Sequence, residues 1–132
     1  MRFASASLDA TIRIWEFASD ENSASITAVI QPIQCLSNFV AWSPDEATLV
    51  SSNEDIFVQL WSAVSGKSRG EPLNGHAGTV NCIAWAPNGQ CFVTGGECLS
   101  VRMWHFLINR NIVEIAELEG EQMVFNADMR SW

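Results

Sequence analysis

The sequence predicts an all-β chain made of repeated small antiparallel sheets, and three observations carry that prediction. A strand-like phrase ending in tryptophan occurs three times, as TIRIW, FVQLW and SVRMW, and its closing residues Trp15, Trp61 and Trp104 are spaced by 46 and 43 positions. A second phrase, VAWSPDE and then IAWAPNG, accompanies the last two copies; Trp42 precedes Trp61 by 19 residues and Trp85 precedes Trp104 by 19. Within the first phrase apolar residues alternate: Ile12 and Ile14, Val58 and Leu60, Val101 and Met103 share one side, and the closing tryptophan takes the other. Apolar character on both faces is what sheets stacked face to face require.

The elements follow in order. FASAS, TLVSS and CFVTG are short and rich in residues that suit a pleated, half-buried surface, as are the three tryptophan phrases. Between the first two strands of a unit lie SPDE or APNG; proline pre-sets the first central turn angle and Asn-Gly tolerates positive φ. Four strands per unit result, at 36–43, 47–52, 56–62 and 69–73, then at 79–86, 90–95, 99–106 and 112–118. Three strands of an earlier unit precede them. The segment LINRNIVEIAELE, 107–119, has two readings: Ile108, Ile112, Ile115 and Ala116 fit helical spacing, whereas its place after a closing tryptophan favours an outer strand. The organisation is therefore an incomplete unit at 1–35, full units at 36–75 and 76–119, and a tail or further first strand at 120–132. A period near 43 residues falls in the range of four-stranded propeller blades.

Composition narrows the function. A chain of 132 residues that is 48% hydrophobic is sufficient for a packed core. Seven Lys and Arg against 15 Asp and Glu give a net charge of −8, which disfavours sequence-independent binding to nucleic acid or anionic lipid and leaves basic partners open. The start has no apolar run of signal-peptide length, and no stretch approaches the roughly 18 apolar residues of a membrane span. The expected location is the cytoplasm or nucleus. Cys35, Cys82, Cys91 and Cys98 form no C-x-x-C pair, so spacing encodes no metal site, and they read as small buried residues or free thiols. No Gly-rich phosphate loop or H-E-x-x-H motif is present, so no cofactor is expected and no catalytic residue is assigned.

The stretch NGHAGTVNCIAWAPNGQCFVTGGECLSVRMW resembles a WD-repeat (WD40) unit, opened by Gly75-His76 and closed by Trp104. The resemblance runs from Phe3 to about Leu118, and GEPLNGH is similar to the joints of WD-repeat arrays attached to NACHT-type signalling receptors. It implies a hydrogen-bonded relay in each blade, from Trp to Ser or Thr, to His, to Asp. The Trp role falls to Trp15, Trp61 and Trp104; the hydroxyl role, ten residues earlier, to Ser5, Ser51 and Thr94; the acid role to Asp9 and Asp55, with Cys98 in the third unit. Only His76 fills the His role, and Ile33 stands at the corresponding place of the second unit. No unit therefore has a full relay. The physical need is plain, because a buried indole or imidazole left unpaired costs about 1–3 kcal/mol. A hydrolytic triad of Ser51, His76 and Asp55 is the competing reading; these positions repeat with the packing, which favours the structural role. His105, after a closing tryptophan, is expected to face solvent.

The fold expected is thus an all-β partial β-propeller of about three four-stranded antiparallel blades, two complete and one lacking its N-terminal strand, in a ring that one chain does not close. Closed propellers have about four to eight blades. Three arrangements satisfy the terminal faces: the chain is a segment of a longer protein, it self-associates, or the stretch QMVFNADM supplies the missing first strand, in the fullest version by exchange between two chains in a six-bladed ring. The resemblance implies a protein–protein interaction scaffold, not an enzyme; the alternative is a propeller within a larger multidomain enzyme or NACHT-type receptor whose active site lies elsewhere. Glu54 and Glu97, at equivalent turns one before the acid position, form the candidate rim for a basic peptide.

Overall fold

Each tryptophan phrase folds as a strand flanked by its neighbours in sequence. The computed structural model describes residues 1–20, 22–31, 37–53, 56–97, 100–106 and 112–119, and among these it has strands and no helix. The strands are β1 (Arg2–Ala6), β2 (Ile12–Phe17), β3 (Ala24–Ile30), β4 (Ser37–Trp42), β5 (Thr48–Asn53), β6 (Val58–Ser62), β7 (Val80–Trp85), β8 (Cys91–Gly96), β9 (Ser100–Phe106) and β10 (Ile112–Glu119). They form three antiparallel sheets in the orders β1-β2-β3, β4-β5-β6 and β10-β9-β8-β7. The architecture is that of a partial propeller in which no sheet closes on itself.

The register makes the repeat physical. Leu49 pairs with Trp61 and Phe92 with Trp104, as Phe3 pairs with Trp15, so β1, β5 and β8 occupy the same lane. On that alignment β4 and β7 are first strands, and the first sheet has none. The strands β4 and β7 lie side by side, and β1 neighbours β4 as β5 neighbours β7.

The core is two apolar layers between three sheets. Ile12, Ile14 and Ile30 of the first sheet meet Leu49 and Trp61 of the second, with Ala63 beside them. On its other face the second sheet sends Val50, Val58 and Leu60 against Val80, Phe92 and Trp104 of the third. Period-two alternation delivers both sets, since successive side chains point to opposite faces. Met103 is buried with them and Val101 is half-buried.

Two local features refine the expectations. Ile112–Glu119 pairs with β9 as an outer strand, with a bulge between Glu114 and Ala116, so the strand reading holds there; 107–111 and 120–132, QMVFNADM included, lie outside the described residues. In the second sheet the fourth lane is held by two isolated bridges, Val58 with Leu73 and Trp61 with Ser68. Gly70 sits between them at φ 77, and Pro72 has no N–H, so the ladder is interrupted. The amide of buried Gln59 donates to the Gly70 carbonyl at 3.2 Å and closes the gap from the side. The turns SPDE and APNG behave alike: Glu46 and Gly89 take φ 57 and 70, and their N–H groups bond back to Ser43 and Ala86.

Candidate functional site

The three closing indoles find hydroxyls ten residues upstream on the adjacent strand. Trp15 Nε1 donates to Ser5 Oγ at 2.9 Å, Trp61 to Ser51 at 2.8 Å and Trp104 to Thr94 Oγ1 at 2.9 Å. Antiparallel pairing sets this reach: the hydroxyl lies two positions along β1, β5 or β8 from the residue opposite the tryptophan, on the same face. In the third sheet His76 Nε2 lies 2.6 Å from Thr94 Oγ1, which then serves both the imidazole and the indole. His76 is 3% exposed and Thr94 fully buried, so both polar groups depend on these bonds for what water would otherwise supply. Glycine precedes His76 for a steric reason: a Cβ at Gly75 would come within 2.8 Å of the Arg102 guanidinium.

The acid positions are not brought together. Asp55 and Cys98 lie outside the described residues, as do Ile33, Cys35 and Glu54. Asp9 closes its own loop: its carboxylate accepts from Thr11 N at 3.0 Å, Thr11 Oγ1 at 2.5 Å and Arg13 Nη2 at 2.7 Å. The Thr11 hydroxyl, and then the Arg13 guanidinium, hold the Asp9 carboxyl well below the usual carboxylate range. On the opposite rim Asp45 is lowered in the same way, first by the Ser43 hydroxyl and then by the Ala47 N–H. Cys91 is buried, and burial pushes its thiol up; Cys91 and Cys82 are both free. His105 is half-buried rather than solvent-facing, because it pairs across to Cys91 in β8.

Glu97 is exposed at the turn leaving β8. Its N–H bonds to the Thr79 carbonyl at 3.0 Å, and that carbonyl passes so close to Gly96 that a Cβ there would lie 2.0 Å from it. Glycine is thus required for the β8–β9 turn to rest on the start of β7. The equivalent rim residue of the first sheet, Leu8, is 77% exposed. Among the described residues no three His, Cys, Asp or Glu side chains gather closely enough to hold a metal ion.

Sequence reasoning missed Arg2. Its guanidinium lies 5.1 Å above the Trp42 ring and donates to the Glu46 carbonyl at 3.0 Å, joining the first sheet to the β4–β5 turn. A single arginine outside the repeated phrases gave no signal for it.

With that geometry in view, comparison with known proteins agrees. The family model described as WD domain, G-beta repeat (WD40) matches residues 30–62 and 66–105, together more than half of the chain. Coatomer subunit beta'-1 of Arabidopsis thaliana is 32% identical over 79 residues, and so is coatomer subunit beta'-2 of the same plant. The matched stretch is 60% of this chain and 8% of each of those proteins.

Proposed function

This chain belongs to the WD40 family, and from that premise we propose that it works as a protein-interaction scaffold and not as a catalyst, as one part of a longer propeller. The observation that carries the reading is where its buried polar groups go. Ser51, Thr94 and His76 are consumed in hydrogen bonds to the closing indoles or to one another, and the exposed chemistry stands on the turns. A rigid stack that spends its polar side chains on its own cohesion presents loops for binding. Both curated relatives are by name coatomer subunits, that is, members of an assembly, which supports protein partners here too. The half-exposed outer face of the first sheet supports the presence of further blades. Free Cys82 and Cys91 suit work in the cytoplasm or nucleus.

Exposed Glu97, with the equivalent Glu54, is the proposed contact for a Lys- or Arg-bearing segment. The test is capture of partners by the immobilised chain and by a Glu54→Lys, Glu97→Lys variant with unchanged thermal stability. Loss of a partner from the variant is the expected result. Capture of no specific protein by either form would overturn the scaffold reading, and an unchanged partner set would overturn the role of the two glutamates.

A further inference from the structure

The inner edge of the first sheet is an open strand position with a defined chemistry. In the second and third sheets the lane beside β5 and β8 is filled by β4 and β7, and the filling follows one rule. Val40, Ala41 and Trp42 face Ser51, Val50 and Leu49; Ile83, Ala84 and Trp85 face Thr94, Val93 and Phe92. The corresponding residues of β1 are Ser5, Ala4 and Phe3, and β1 has a partner on the β2 side alone.

The backbone of β1 is presented for pairing. Phe17 N bonds to the Met1 carbonyl and Ser7 N to the Thr11 carbonyl, so residues 1 and 7 turn their polar groups toward β2. Alternation along a strand then points the N–H and C=O of Arg2, Ala4 and Ala6 to the open side. The equivalent groups of Val50 and Val93 point at β4 and β7: the neighbouring Thr48 and Cys91 carbonyls accept from Ser43 and Ala86 on that side. Burial shows the same gap. Leu49 and Phe92 are fully buried, while Phe3 is 37% exposed and stacked on Trp15 at 5.8 Å. The empty lane also continues the row that β4 and β7 already form.

We infer that the β1 edge is a strand-docking site for an extended segment of another polypeptide carrying the order apolar, small, aromatic. The small residue pairs with Ala4 through main-chain bonds, the apolar residue covers Ser5, and the aromatic ring extends the Phe3–Trp15 stack. Main-chain bonds supply the binding and alternate side chains the selectivity, as in other strand additions to a sheet edge. This site is distinct from the rim, so its failure leaves the scaffold reading standing.

The test uses a fluorescein-labelled peptide SNFVAWSP, which copies residues 37–44, titrated against the whole chain by fluorescence polarisation. Saturable binding is expected, weakened at least about tenfold by N-methylation of the peptide residue that copies Ala41 and by an aspartate in place of its tryptophan. The peptide changes leave the protein untouched, so folding does not confound them. Amide exchange gives the second readout: the Arg2, Ala4 and Ala6 N–H groups slow on binding, and those of β8 do not. Absence of saturable binding, equal binding of the N-methylated peptide, or protection located elsewhere would overturn the proposal.

Discussion

The first and third sheets carry the same phrase in different surroundings, and the contrast separates what the repeat encodes from what its neighbours supply. Both place a tryptophan indole on a hydroxyl ten residues upstream at 2.9 Å. In the third sheet that bond lies between layers: Trp104 is 4% exposed, Thr94 is fully buried and His76 joins them. In the first, Trp15 and Ser5 are half-buried on an outer face, without an inner strand beside them. The local sequence makes the bond; burial decides how much it matters, because water competes for the exposed copy.

Paired substitutions sharpen this contrast. The largest effect belongs to the residue opposite the closing tryptophan. Phe92→Ala should destabilise by about 3–5 kcal/mol through loss of buried area and the cavity left behind, whereas Phe3→Ala should cost less than about 1 kcal/mol. Equal shifts in denaturant midpoint would erase the distinction between the two sheets. Next come the hydroxyls. Thr94→Val keeps the shape and leaves both the Trp104 and His76 nitrogens without that partner, an expected loss of about 2–4 kcal/mol; Ser5→Ala should cost no more than about 1 kcal/mol. Chemical denaturation of each variant reads these values directly.

A smaller effect sits in the β1–β2 turn. Ala10 takes φ 63, a region that disfavours side chains, and Ile56 takes φ 69 at the equivalent place in the second unit. Ala10→Gly relieves the turn while loosening the unfolded chain, so a gain of no more than about 1 kcal/mol is expected. A fall in melting temperature would show that the turn is not strained. The smallest effect is acid sensitivity. Asp9 and Asp45 are depressed below their ordinary values, so their contribution is present above about pH 4 and is lost as pH falls through the folded-state values. Melting temperature should hold from neutrality to about pH 5 and decline below about pH 4, less steeply in an Asp9→Asn, Asp45→Asn variant.

Much of the architecture was legible because it rests on period. Spacing between tryptophans located β2, β6 and β9, and alternation within each phrase assigned Ile12, Ile14, Val58 and Leu60 to the layers they occupy. The prolines and Asn-Gly marked the turns that Glu46 and Gly89 make with positive φ. What period cannot express stayed hidden. The broken fourth lane of the second sheet depends on Gly70 and on Gln59 reaching across to it, one backbone angle and one side chain. The Arg2 clamp on Trp42 joins residues 40 positions apart with no repeated partner elsewhere. Asp9 was assigned to a histidine relay by its position, yet Thr11 and Arg13 nearby take its carboxylate.

The central claim is that repeated indoles seal stacked sheets, to a degree set by what lies on either side. Hydrogen exchange at the indole Nε1–H of Trp15, Trp61 and Trp104, followed by NMR on the labelled chain, tests it most directly. Trp61 and Trp104 should be strongly protected, and Trp15 should exchange markedly faster though still more slowly than a free indole. Rapid exchange at all three would contradict the account.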